Sequence, residues 1–157
     1  MISIHMSPSF PSFQKSQRVF KYEAWVGIGG NMGAVKERFE RLMRYWLGHP
    51  LLHVEQTSPI VQNPPFGVLE QPDFFNAIAK IRTSLSPQRL LKLLLHTEKR
   101  FGRVRSIPNG PRTLDLDLIF YEDVQMHTAH LKLPHPEWKK RLSVLVPLEL
   151  MNQRNWR

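Results

Sequence analysis

Gly110-Pro111-Arg112-Thr113-Leu114-Asp115-Leu116-Asp117-Leu118-Ile119-Phe120-Tyr121 is the stretch on which the reading of this chain turns. Taken at a period of two, Leu114, Leu116 and Leu118 point to one side of a strand, and Asp115 and Asp117 point to the other. One face is core and the other carries charge. Same-face neighbours on a strand lie roughly 6.5 to 7 Å apart, so the two carboxylates could hold one divalent cation between them or two side by side. Arg112, just upstream, adds a fixed positive charge, and the group suits a polyphosphate bridged by magnesium. A half-exposed antiparallel strand with its carboxylates in water would show the same alternation. Against that plainer reading, Asp is depleted in strands because its side chain competes for backbone hydrogen bonds, and a Gly-Pro-Arg turn brackets the pair where surface lysines would be expected.

Upstream of this strand, Ser86-Pro87 opens a helix, with an N-cap hydroxyl and then proline at the first helical position. Leu90, Leu91, Leu94, Leu95, Glu98 and Phe101 continue it and Gly102 closes it. Arg103, Arg105 and Arg112 then deliver three guanidiniums around one loop, as a phosphate site or as a solvated basic loop. Phe74 to Thr83 alternates, with Phe75, Ala77, Ala79 and Ile81 on one face and Phe74, Asn76, Ile78 and Lys80 on the other. Phe74 and Asn76 emerge together at the start of that strand, an aromatic plate beside an amide, which suits a flat heterocycle and equally a structural strand end.

Before it, residues 63–73 make a proline-rich loop holding Asn63, Pro64 and Phe66. A weaker strand runs from Val54 towards Val61. Residues 34–47 read as an amphipathic helix through Val35, Phe39, Leu42, Met43 and Trp46. Tyr22, Ala24, Val26 and Ile28 mark a first strand that ends in a glycine-rich turn, Gly27 to Gly33, with Asn31 near the helix N-cap. That turn has Met32 where GxGxxG needs glycine, and no Gly-Lys-Ser/Thr. Downstream come an extended Leu131 to Pro136, a short helix at Trp138 to Arg141, and apolar Val144 to Leu148. His127, His130 and His135 lack the companions a zinc site needs. The order strand, helix, strand, strand, helix, strand is the ferredoxin-like α+β arrangement, an antiparallel sheet with helices on one face and the other open to a ligand.

With 157 residues, 41% of them hydrophobic, the chain can bury a real core as one domain. It contains no cysteine, which excludes disulfides and thiol chemistry and fits an intracellular, cytoplasmic protein. A net charge of +9 favours anionic partners without choosing among them. No stretch reaches the roughly 18 apolar residues of a membrane span. Residues 1–20, rich in Ser, Pro and Phe, read as a flexible extension ahead of a domain at 21–157.

The sequence around Asp115 and Asp117, with Pro134-His135-Pro136, Asn63-Pro64-Pro65-Phe66-Gly67, Gln71-Pro72-Asp73-Phe74-Phe75-Asn76 and Gly102-Arg103-Val104-Arg105, resembles the 6-hydroxymethyl-7,8-dihydropterin pyrophosphokinases of folate biosynthesis. The resemblance extends in order from about Tyr22 to Leu148. It implies a monomeric enzyme that moves diphosphate from ATP to the pterin, two magnesium ions on Asp115 and Asp117, and neither membrane nor nucleic acid as partner. Arg103, Arg105 and Arg112 would serve catalysis. ATP would meet Glu98, Arg103, Arg112, His135 and Arg141, and the pterin would meet Asn63, Pro64, Phe66, Phe74 and Asn76. Ser143 stands where the family usually places an aromatic, Ile107-Pro108-Asn109 fills a loop that in some members holds a tryptophan, and Gly30 replaces a common serine. Two rival readings are a basic nucleic-acid module of the same fold, though the sequence lacks its paired aromatic motif, and an inactive family member.

Overall fold

The computed structural model describes residues 2–15, 17, 19–65, 68–103 and 111–152. In chain order the elements are β1 (Ser3–His5), β2 (Ser12–Phe13), β3 (Tyr22–Gly30), α1 (Val35–Trp46), β4 (Leu52–Thr57), β5 (Ile60–Asn63), β6 (Phe74–Thr83), α2 (Pro87–Arg100), β7 (Asp115–Tyr121), β8 (Met126–His127), β9 (Lys132–Leu133) and α3 (Leu142–Met151), with a 3-10 turn at Trp138–Lys140 before α3. Strands β1 to β7 form one antiparallel sheet, and β8 pairs with β9. At its centre β3 and β6 are matched from Tyr22↔Thr83 to Gly30↔Phe75. Beyond β3 lies β7; beyond β6 lie β5, against its first residues, and β4, against its last. The fold is α+β.

Alternation decides what each face meets. Ala24, Val26, Ile28, Ala77, Ala79, Ile81, Leu116 and Leu118 turn to the side covered by α1 and α2, where Phe39, Leu42, Trp46, Leu90 and Leu94 complete the main core. Each of these larger side chains contributes roughly 1.5–3 kcal/mol by leaving water. Ser86 caps α2 by accepting the Arg89 amide, with Pro87 at its first position, and Gly102 follows the helix at φ +83°. Between Trp25 and Val26 the pairing of β3 with β7 slips by one residue, so neighbouring Ile119 and Phe120 both turn to the second face, while Leu118 and Tyr121 turn to the main core.

Two expectations are corrected. The second face is only partly open, because α3 lies on it: Val144 and Met151 pack on Ile78 and Ile119, while Trp138 meets Phe120 edge-on at 5.0 Å. The apolar run Val144 to Leu148 needed a second core, and Trp25, Ile78, Ile119 and Phe120 supply it. Residues 2–15 are also no loose extension. There β1 joins β5, β2 joins β4, Phe10 is fully buried against Phe39, and Glu40 accepts from the Ser7 and Ser9 hydroxyls and the Ser9 amide at 2.6–2.9 Å. Ser7 and Ser9 are thus partners for a half-buried carboxylate. No helix among the described residues is long and apolar enough to cross a membrane.

Candidate active site

The uncovered part of the second face is a cavity of about 830 Å³. Its charged end is built on β7, where Asp115 and Asp117 project together. Asp115 is paired with two guanidiniums, Arg103 at 2.5 Å and Arg112 at 3.2 Å. Burial, and next the charge of Asp115, push the Asp117 carboxyl up to about 7. A half-buried acid held so far above the ordinary carboxylate range marks a place where added positive charge is favoured. Arg141, at the start of α3, and His135 complete this end. The His135 ring accepts the Glu137 amide at Nδ1, so its neutral form carries the proton on Nε2. Burial and the nearby Arg141 hold its pKa below the usual histidine value.

The opposite end is built on β5 and β6. Asn76 donates to Asn63 Oδ1 at 2.7 Å, and Phe74 lies one step along the same face. Between the ends runs β3, whose Gly27 and Gly29 stand in a row with Asp117 and Asp115 on one side and Ile78 and Asn76 on the other. A Cβ on Gly29 would lie 2.8 Å from Asn76 Oδ1, so glycine is what lets that amide lie over the strand. Two strand spacings, about 10 Å, separate the carboxylates from the amides.

The sequence profile of the 7,8-dihydro-6-hydroxymethylpterin-pyrophosphokinase family matches residues 25–153. The chain belongs to this family. It is 40% identical over 142 residues to the 2-amino-4-hydroxy-6-hydroxymethyldihydropteridine pyrophosphokinase of Campylobacter jejuni, covering 90% of each chain. The protein of the same name from Helicobacter pylori is 39% identical over 152 residues, 96% of this chain and 93% of that one. That from Synechocystis is 45% identical over 125 residues, covering 80% and 64%.

Of the residues expected from the pyrophosphokinase resemblance, Asn63, Pro64, Phe74, Asn76, Arg103, Arg112, Asp115, Asp117, His135 and Arg141 all line the one cavity. Arg105 and Phe66 lie outside the described residues, as does the Ile107-Pro108-Asn109 stretch. Glu98 stands behind the cavity, only 3% exposed. Its Oε2 accepts from Arg103 at 2.8 Å and from the Leu116 amide at 2.7 Å, which satisfies an outward N–H of edge strand β7 and fixes Arg103. Ser143 lines the cavity without a ring to offer.

Sequence reasoning missed three participants. Gly27 to Gly30 belong to the strand, and the turn comes after them. Asn31 does not cap α1, whose N-cap is Ala34. Instead its amide donates to Gln71 Oε1 and Pro72 O and accepts from the Arg112 amide, all at 2.9–3.0 Å, tying the arginine turn to the loop beside Phe74. No local pattern in the sequence marks this role, because the partners of Asn31 lie far along the chain. Where Gly30 lies, a Cβ would meet the Thr113 carbonyl at 2.7 Å, so this chain's turn rests directly on the strand. Ile2, the third, lines the cavity from the segment read as an extension.

Proposed function

We propose that this chain transfers diphosphate from ATP to the hydroxymethyl oxygen of 6-hydroxymethyl-7,8-dihydropterin, releasing AMP, as a step of folate synthesis. The observation that carries this reading is a single cavity with arginines and carboxylates at one end and an aromatic-amide pair about 10 Å away, over a glycine floor. We further read the spatial order β4/β5, β6, β3, β7, with α1 and α2 linking the strands, as the ferredoxin-like arrangement.

In this mechanism Phe74 stacks on the pterin while Asn76 and Asn63 pair with its polar edge, and Gly27 and Gly29 let the ring approach the sheet. Arg103, Arg112, Arg141 and the neutral His135 Nε2–H donate to phosphate oxygens. Asp115 and Asp117 would hold two magnesium ions, which supply charge neutralisation on the phosphates. The donor set fits such hard cations: two carboxylates, with water and phosphate oxygens for the remaining positions. The hydroxymethyl oxygen bonds to the β-phosphorus, the bond from that phosphorus to the α–β bridging oxygen breaks, AMP leaves with the oxygen, and the hydroxyl proton passes to solvent. The rival nucleic-acid reading would need exposed aromatics on both central strands, where β3 offers Gly27 and Gly29 to the cavity and packs its Trp25 into the second core.

The test is incubation of the protein with ATP, magnesium and the pterin, with the nucleotides separated by chromatography. AMP formed only when pterin is present is the expected result; ADP, or AMP formed without pterin, would overturn the proposal.

A further inference from the structure

We propose that the amino-terminal strand is part of the substrate cavity, with Ile2 as an apolar contact for the heterocycle. This rests on reading the Phe74 end of the cavity as the pterin pocket. Strand β1 is matched to β5 through Ser3↔Gln62 and Ile4↔Val61. One step further in that register sets Ile2 opposite Asn63, and Asn63 is opposite Phe74 on β6. Ile2, Asn63 and Phe74 therefore stand in one row on the ligand face, across three neighbouring strands. Ile2 lines the same cavity as Phe74, Asn76 and Ser143, and 38% of its surface is still exposed. A bound ring would take that surface from water. Ser143, on the α3 side, presents a hydroxymethyl group, so apolar area in this part of the wall comes from Ile2 and from Leu142, which is 57% exposed.

The strand is held in place before any ligand arrives. His5 Nε2 is 2.8 Å from Gln62 Oε1 and its ring lies 5.7 Å from that of Phe75; a few residues on, Phe10 is buried in the core and Ser7 and Ser9 are bound to Glu40. Binding then costs little further ordering of this backbone. Val61 faces Ile4, the next same-face residue of β1, which does not line the cavity.

Calorimetric titration of 6-hydroxymethylpterin into the full chain, saturated with magnesium and a non-hydrolysable ATP analogue, separates the possibilities. Ile2→Ala is expected to weaken pterin binding roughly three- to tenfold, the loss of a few methyl contacts. Affinity for the analogue and Tm should stay at the wild-type values, Ile2→Leu should return pterin affinity to within about twofold of wild type, and Ile4→Ala should leave it unchanged. If wild type binds the pterin and Ile2→Ala binds it equally well, or Ile4→Ala loses as much as Ile2→Ala, the contact is refuted while the proposed activity stands. A wild-type protein that binds no pterin refutes both.

Discussion

Asp115 and Asp117 are two residues apart on one strand and differ in charge economy. The first is matched by Arg103 and Arg112, whereas the second, half-buried beside a like charge, is pushed up to about 7. A carboxyl whose folded pKa exceeds its unfolded value weakens the fold as pH rises between the two, and the whole penalty is present above the folded value. Asp117→Asn should therefore raise Tm by roughly 5 to 10 °C in EDTA at pH 8, have little effect near pH 4, and abolish diphosphoryl transfer; calorimetry across pH checks the first and the AMP assay the last. The alternation of Leu and Asp made this pair legible in the sequence, because period two is a local property. Asn31 was illegible for the opposite reason, since its partners Gln71, Pro72 and Arg112 lie 40 to 81 residues away. Asn31→Ala is expected to cost about 1–3 kcal/mol of stability and to lower kcat by up to about 100-fold through a misplaced Arg112, with far-UV dichroism unchanged.

Elements were read best where one face is apolar. Helices α1 and α2 and strands β3, β6 and β7 each carry such a pattern, and each lies within a few residues of its expected span. Strands β1 and β2 carry none: of Ser3, Ile4, His5, Ser12 and Phe13, not one is buried, and pairing with β5 and β4 alone makes them strands. What secures this segment is distant, namely Phe10 in the core and Glu40 on α1. Burial works to raise the Glu40 carboxyl, and hydrogen bonds from Ser7 and Ser9 with the charge of Arg44 outweigh it, so its pKa lies below the usual carboxylate range. Its stabilising share is present above the unfolded pKa and is lost as pH falls through the folded one. Glu40→Ala should speed hydrogen exchange at Ser7 and Ser9 at neutral pH by roughly tenfold while the amides of β3 and β6 keep wild-type rates, as exchange mass spectrometry would read.

At the scale of the whole molecule, in the proposed reaction the net charge of +9 would act on anionic ATP far more than on a neutral pterin. KM for MgATP should climb several-fold as ionic strength rises from about 0.05 to 0.5 M, with KM for the pterin nearly constant in the same steady-state series. The cross-strand row Asp115, Gly29, Asn76 joins positions far apart in the chain through the two central pairings. No partial unfolding that parts β3 from β6 or β7 can keep it whole. Ligand binding energy is thus linked to the most global opening available to the chain, so that ligands at 100 times their Kd add about 2.7 kcal/mol to complete unfolding. Native-state exchange would register that increment at the slowest amides of the central strands, remote from any bound atom, and a starved cell would hold a less durable protein than one well supplied with substrate.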